Sequence, residues 1–108
     1  YSNEAKIKRL GVRPETITRY GAVSQETARE MAVGIMNSSG ADIGLAVTGI
    51  AGPGGGTVEK PVGLVFIAVA MNDEVDVKQF QFSGDRKRVK NSTAKQALDL
   101  LRRKLLNI

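Results

Sequence analysis

The sequence predicts an α/β fold, a single domain in which helices pack around a small mixed β-sheet. Three observations lead there. Apolar residues recur at helical spacing through 24–39, form an unbroken β-branched run over 62–70, and return to helical spacing after Gly84. No internal repeat or low-complexity linker interrupts the chain, and 108 residues correspond to one domain. A folded monomer of this size exposes roughly 5,800 Å² of the about 16,800 Å² available to the extended chain, enough for a real but modest core.

The elements follow in order. Ser2 to Leu10 reads as a short helix, with Ser2 or Asn3 as N-cap, Ile7 and Leu10 apolar, and Gly11 as the stop. Arg13-Pro14-Glu15-Thr16 opens a second short helix that runs to about Tyr20-Gly21, with the proline where its missing N–H costs nothing. Ser24 caps a stronger helix in which Ala28, Met31, Ala32, Ile35 and Met36 form one stripe, ended by Asn37-Ser38-Ser39-Gly40. Ile43 to Val47 is a short strand entering the glycine-rich run Gly49 to Gly56. After Thr57-Val58-Glu59-Lys60-Pro61, Val62 to Ala70 reads as a strand buried on both faces. Beyond Asn72-Asp73, Glu74 to Phe82 alternates, but Val75 and Val77 fall on one parity and Phe80 and Phe82 on the other. That slip predicts a bulge in an edge strand. Gly84-Asp85 opens the last helix, with Val89, Ala97, Leu100, Leu101 and Leu105 at helical spacing. Three strands are few for a doubly covered central run, so a further strand and helix are expected ahead of Tyr1.

Composition excludes much chemistry. The chain has no Cys and no His, which removes disulfides, thiol nucleophiles, imidazole bases and ordinary zinc sites. Proton transfer must fall to Lys, Asp, Glu or Tyr, and nucleophilic attack to Ser, Thr or one of those groups. The longest apolar run, Val62 to Met71, is too short to span a bilayer, and the N-terminus has no signal-peptide pattern, so a cytoplasmic protein is expected.

Four features could carry chemistry. The glycine loop lets the backbone approach a ligand and turn N–H groups inward, as anion-binding nests do, although it matches neither common phosphate fingerprint and a strand follows it. Glycine content alone fits a flexible connector. Thr48 at the strand end, with Glu59 and Lys60 closing the loop, favours function. Lys6, in the first turn of a helix, feels the positive end of the dipole, which lowers its pKa and suits it to a general base, though most lysines are solvated surface groups. The last helix carries Arg86, Lys87, Arg88, Lys90, Lys95, Arg102, Arg103 and Lys104 against Asp85 and Asp99. It therefore holds +6, with −1 elsewhere, of the net +5. Without interleaved aromatics this is better read as a solvated amphipathic helix than as a nucleic-acid surface. Arg86 differs, because a guanidinium at a helix start makes an anion site. The acids Asp73, Glu74 and Asp76 solvate a turn, and Ser24 is a helix cap.

The segments Tyr1-Ser2-Asn3-Glu4-Ala5-Lys6, Leu10-Gly11-Val12, Gly21-Ala22-Val23-Ser24, Thr48-Gly49-Ile50-Ala51-Gly52-Pro53-Gly54-Gly55, Glu59-Lys60-Pro61-Val62-Gly63 and Gly84-Asp85-Arg86 occur in this order through nearly the whole chain. Together they resemble the C-terminal domain of competence/damage-inducible protein CinA, the nicotinamide-nucleotide amidase family. The resemblance implies residues 1–108 form such a domain, truncated at its N-terminus, whose parent hydrolyses nicotinamide mononucleotide to nicotinic acid mononucleotide and ammonia without metal or cofactor. It implies Lys6 as the base of a Ser-Lys dyad with Tyr1 beside it. Thr48, Gly49, Gly52 and Gly54 would line the substrate site, and Arg86 would bind the substrate at its phosphate. The family's serine lies in an A-E-S-C-T-G-G-like stretch upstream of the Y-S-N segment, so the chain alone is expected not to turn over. The expected partner is the nucleotide substrate, with no membrane or nucleic acid, and the oligomeric state stays open. Two other readings are a non-catalytic nucleotide-binding or regulatory module and a DNA-associated protein relying on the basic helix.

Overall fold

The computed structural model describes residues 2–72 and 74–106. Tyr1 and Asp73 lie outside the described residues. The elements are α1 (Asn3–Leu10), α2 (Pro14–Tyr20), α3 (Gln25–Ser39), β1 (Ile43–Gly49), β2 (Leu64–Met71), β3 (Glu74–Gln81) and α4 (Arg86–Leu106). Local chemistry sets the helix ends. Ser2 Oγ accepts from the Ala5 amide and Ser24 Oγ from the Thr27 amide, while Gly11 and Gly40 close α1 and α3 in the left-handed conformation. Asp85 caps α4, its carboxylate accepting from the Arg88 amide at 2.9 Å.

The α/β class holds, with strand order β1-β2-β3. Among the described residues the sheet is antiparallel throughout rather than mixed. The reason lies in the connections. β2 and β3 are joined by a tight turn in which Asn72 takes φ 56, and the β1–β2 loop starts as a widened hairpin, with Ile50 N donating to Leu64 O and Gly63 N to Ile50 O. Neither contains the crossover helix that usually joins parallel neighbours.

The expected bulge in β3 is absent, since pairing runs unbroken from Leu64 opposite Gln81 to Met71 opposite Glu74. The parity slip records a change of partner instead. Val75 and Val77 pack with the α3 side of the sheet, whereas Phe80 and Phe82, stacked at 5.3 Å, pack with the α4 side. One strand thus serves two cores.

β2 is the spine of both. Leu64, Phe66, Ala68 and Ala70 join Leu10, Val12, Ala28, Met31 and Ala32 on one face, while Val65 and Ile67 meet Val89 and Ala97 on the other. Ile67 and Val89 are essentially inaccessible, and burying such side chains stabilises the fold by about 1.5–3 kcal/mol each. α1 and α3 meet closely at Gly34, where a Cβ would collide with the Leu10 backbone. The other face is covered more sparsely. Only α4 lies on it among the described residues, and Leu98, Leu105 and Leu106 stay exposed. The molecule is accordingly a slab 18 Å thick, and its 6754 Å² of accessible surface exceeds the size-based expectation. No described helix is long and apolar enough to cross a membrane.

Candidate functional site

Lys6 occupies the second turn of α1, on the face turned toward the protein. It is only 7% exposed. Among the described residues no hydrogen bond or ion pair reaches its ammonium, in contrast to Lys8 two positions on, which pairs with Glu4 at 2.7 Å. Burial without a compensating anion penalises the charged form, and the Lys6 pKa falls below the ordinary lysine value of 10.5. An amine whose charged form is disfavoured by burial is better suited to general-base chemistry than a solvated lysine. Ser2, four residues before it, is occupied as the cap of α1 and is exposed.

Thr48 stands at the loop end of β1, 6% exposed. Its hydroxyl donates to Ala22 O at 2.7 Å, tying the strand to the turn between α2 and α3. The same turn is held by three further bonds: Gly21 O accepts from Ser24 Oγ at 2.8 Å and from Thr27 Oγ1 at 2.7 Å, and Lys60 Nζ donates to Tyr20 O. Three successive carbonyls therefore receive side-chain donors from α3, from β1 and from the far limb of the glycine loop.

The glycines divide by role. A Cβ on Gly49 would meet Val65 Cγ2 at 2.8 Å and Leu64 O at 2.9 Å, and one on Gly52 would meet Val62 Cγ1 at 2.5 Å, with φ 85 besides. Protein packing already requires glycine at both. Gly54 faces open space. The amides of Ala51, Gly52, Gly54, Gly55 and Gly56 donate to no protein group among the described residues, and those of the exposed Gly54, Gly55 and Gly56 are open to an anion or to water. Arg86, the first residue of α4, donates from Nη1 to Gly52 O at 3.1 Å. This spends one of its five donors and holds the rest of the guanidinium beside the loop.

Of the residues singled out by sequence, the structure joins Thr48, Gly49, Gly52 and Arg86 through strand continuity and the Arg86 bond. Gly54 lies on the same loop. Lys6 lies in the helical layer, on α1 where it packs against α3, and among the described residues no hydrogen bond links it to the loop. Gly49 and Ala51 also border an apolar groove of about 300 Å³ with Val47, Val65, Val89 and Ala97. A groove of about 730 Å³ lies apart, between α1 and α3. Among the described residues no group of three or more Asp or Glu is gathered as metal ligands would be. Sequence reasoning placed Lys60 only as a residue closing the loop. Its bond to Tyr20 O spans 40 positions and left no local signal, although the adjacent Gly21 hints at a turn needing space.

Comparison with known proteins places this arrangement. The family model described as the CinA C-terminal domain matches residues 1–105. A putative competence-damage inducible protein of Alkaliphilus metalliredigens is 61% identical over all 108 residues, and a CinA-like protein of Kosmotoga olearia 59% over 98% of this chain. The chain spans 26% of each of these relatives. Among solved structures, a competence/damage inducible protein from Agrobacterium tumefaciens superposes with TM-score 0.91 at 45% identity, covering 94% of this chain and 62% of that one. A CinA-superfamily protein from Klebsiella pneumoniae gives TM-score 0.94 at 36% identity, covering 100% and 68%.

Proposed function

The chain belongs to the CinA C-terminal domain family, and from that membership we propose that its parent protein is an amidohydrolase that converts nicotinamide mononucleotide to nicotinic acid mononucleotide and ammonia. The observation that carries the proposal is Lys6, buried, without a partner among the described residues and with a lowered pKa.

In this mechanism a serine supplied upstream of Tyr1 attacks the carboxamide carbon while its proton passes to the neutral Lys6 amine. The tetrahedral intermediate collapses with cleavage of the C–N bond. Lys6 returns the proton to the departing nitrogen, and ammonia leaves an acyl-serine. Water then attacks the ester, its proton passes to Lys6 and from there to the serine oxygen, and the nicotinate carboxyl is released. The unpaired amides of the glycine loop suit an anionic part of the substrate, and the remaining donors of Arg86 suit its phosphate. Thr48 takes part as the anchor of the wall from which the loop springs.

A non-catalytic nucleotide-binding module would use the same loop and arginine. Calorimetric titration of the full-length protein with nicotinamide mononucleotide, run beside an ammonia-release assay, separates the two. Heat of binding with ammonia release supports the amidase, and binding without release supports the module.

A further inference from the structure

We infer that Lys60 is a positioning residue that fixes the glycine loop against the α2–α3 turn. This rests on the amidase reading for its kinetic consequence and on the structure alone for the pinning itself. The loop between β1 and β2 is held at two points by cations that donate to backbone carbonyls. On the near limb Arg86 reaches Gly52 O. On the far limb Lys60 reaches Tyr20 O, the last carbonyl of α2, where the negative end of the helix dipole favours a cation.

The surroundings are built to receive that ammonium. Gly21 takes φ 88, and a Cβ there would stand 2.6 Å from Lys60 Nζ. The base of Lys60 is fixed by a small turn, in which Thr57 N donates to Lys60 O at 2.9 Å and Lys60 N to Thr57 Oγ1 at 3.0 Å. Between the two pins residues 53–59 are exposed, Val58 completely so. With Lys60 in place the loop shares one frame with Thr48, because both are bonded to the same turn, at Tyr20 O and Ala22 O. Without it, that limb keeps only its own turn, and Gly54 and its neighbours no longer stand at a defined distance from the strand end. Lys60 gives one of its three ammonium donors to Tyr20 O, and the role inferred for it is exerted through the loop.

The test uses the full-length protein with nicotinamide mononucleotide as substrate, and compares Lys60→Met, Lys60→Arg, Gly21→Ala and the Lys60→Met/Gly21→Ala double variant. Losing one charge-assisted hydrogen bond predicts a KM raised about tenfold in Lys60→Met. The value of kcat should stay within about twofold, since the same loosened loop holds the bound substrate and the transition state. Lys60→Arg, which keeps a donor, should recover most of the loss. Gly21→Ala should raise KM similarly, and the double variant should be no worse than the more impaired single. Hydrogen exchange at the Thr57 and Lys60 amides should quicken in Lys60→Met. An unchanged KM in an active protein, effects that multiply in the double variant, or unchanged exchange would each overturn the inference. If the wild-type protein releases no ammonia, the amidase reading fails, and the exchange measurement alone decides the pinning.

Discussion

Thr48→Val offers a quantitative test of how the site is framed. The substitution keeps the β-branched shape in a β-strand and removes only the hydroxyl that donates to Ala22 O at 2.7 Å. A neutral hydrogen bond of this kind contributes about 1 kcal/mol net, and leaving its part-buried acceptor unsatisfied raises the cost toward about 1–3 kcal/mol. Valine's better fit to a pleated surface returns a few tenths. The net expectation is about 1–2 kcal/mol, which for a domain near this length lowers Tm by roughly 5–15 °C. The assay is thermal unfolding of the full-length protein followed by circular dichroism, with Thr48→Ser as control. Serine keeps the donor and gives up one methyl, costing about 0.8 kcal/mol. The Ala22 anchor requires valine to be the more damaging of the two. A Thr48→Val protein as stable as wild type would refute it and return Thr48 to a role in ligand contact alone.

Three further outcomes follow. Gly34→Ala drives a methyl into the Leu10 backbone, so α1 must shift on α3, with an expected loss of about 1–3 kcal/mol in urea unfolding. Lys104 bridges Asp76 at 2.6 Å and Glu74 at 3.2 Å, and hydrogen bonds to those carboxylates raise its pKa above 10.5. The stability it supplies is therefore complete below 10.5 and is lost as pH rises through the raised value; in Lys104→Met this alkaline component of the stability profile should vanish. Lys6 has the opposite sign. Its lowered pKa means that the folded protein carries an unfavourable charge at low pH, relieved as pH rises through that pKa toward 10.5, so kcat/KM should climb to a plateau with its midpoint below 10.5.

Much of the fold was legible because it is written in local chemistry. Ser2, Gly11, Pro14, Ser24 and Gly40 bound their helices by capping rules that need no tertiary knowledge. The doubly buried character of β2 followed from its unbroken apolar run. What was not legible depends on partners distant in sequence. The parity of Val77 against Phe80 cannot say whether the backbone slips or the partner changes, and here the partner changes. Glycine likewise does not reveal its reason. Gly49 and Gly52 make room for Val65 and Val62, whereas Gly54 faces open space, and all three look alike in the sequence. The helix-dipole argument for Lys6 gave the direction of the pKa shift but not its cause, which is burial, and that burial is visible only once α1 is docked on α3. The pin from Lys60 to Tyr20 O is another long-range fact of the same kind.

The account turns on Lys6. The direct measurement is ammonia release from nicotinamide mononucleotide by the full-length protein and by its Lys6→Met variant, with the thermal stability of both followed in parallel. Removing an amine whose charged form is disfavoured by burial and which has no partner among the described residues should cost little stability, while loss of the general base should lower kcat by about 10²–10⁴-fold. Wild-type turnover in a well-folded Lys6→Met protein would contradict the account.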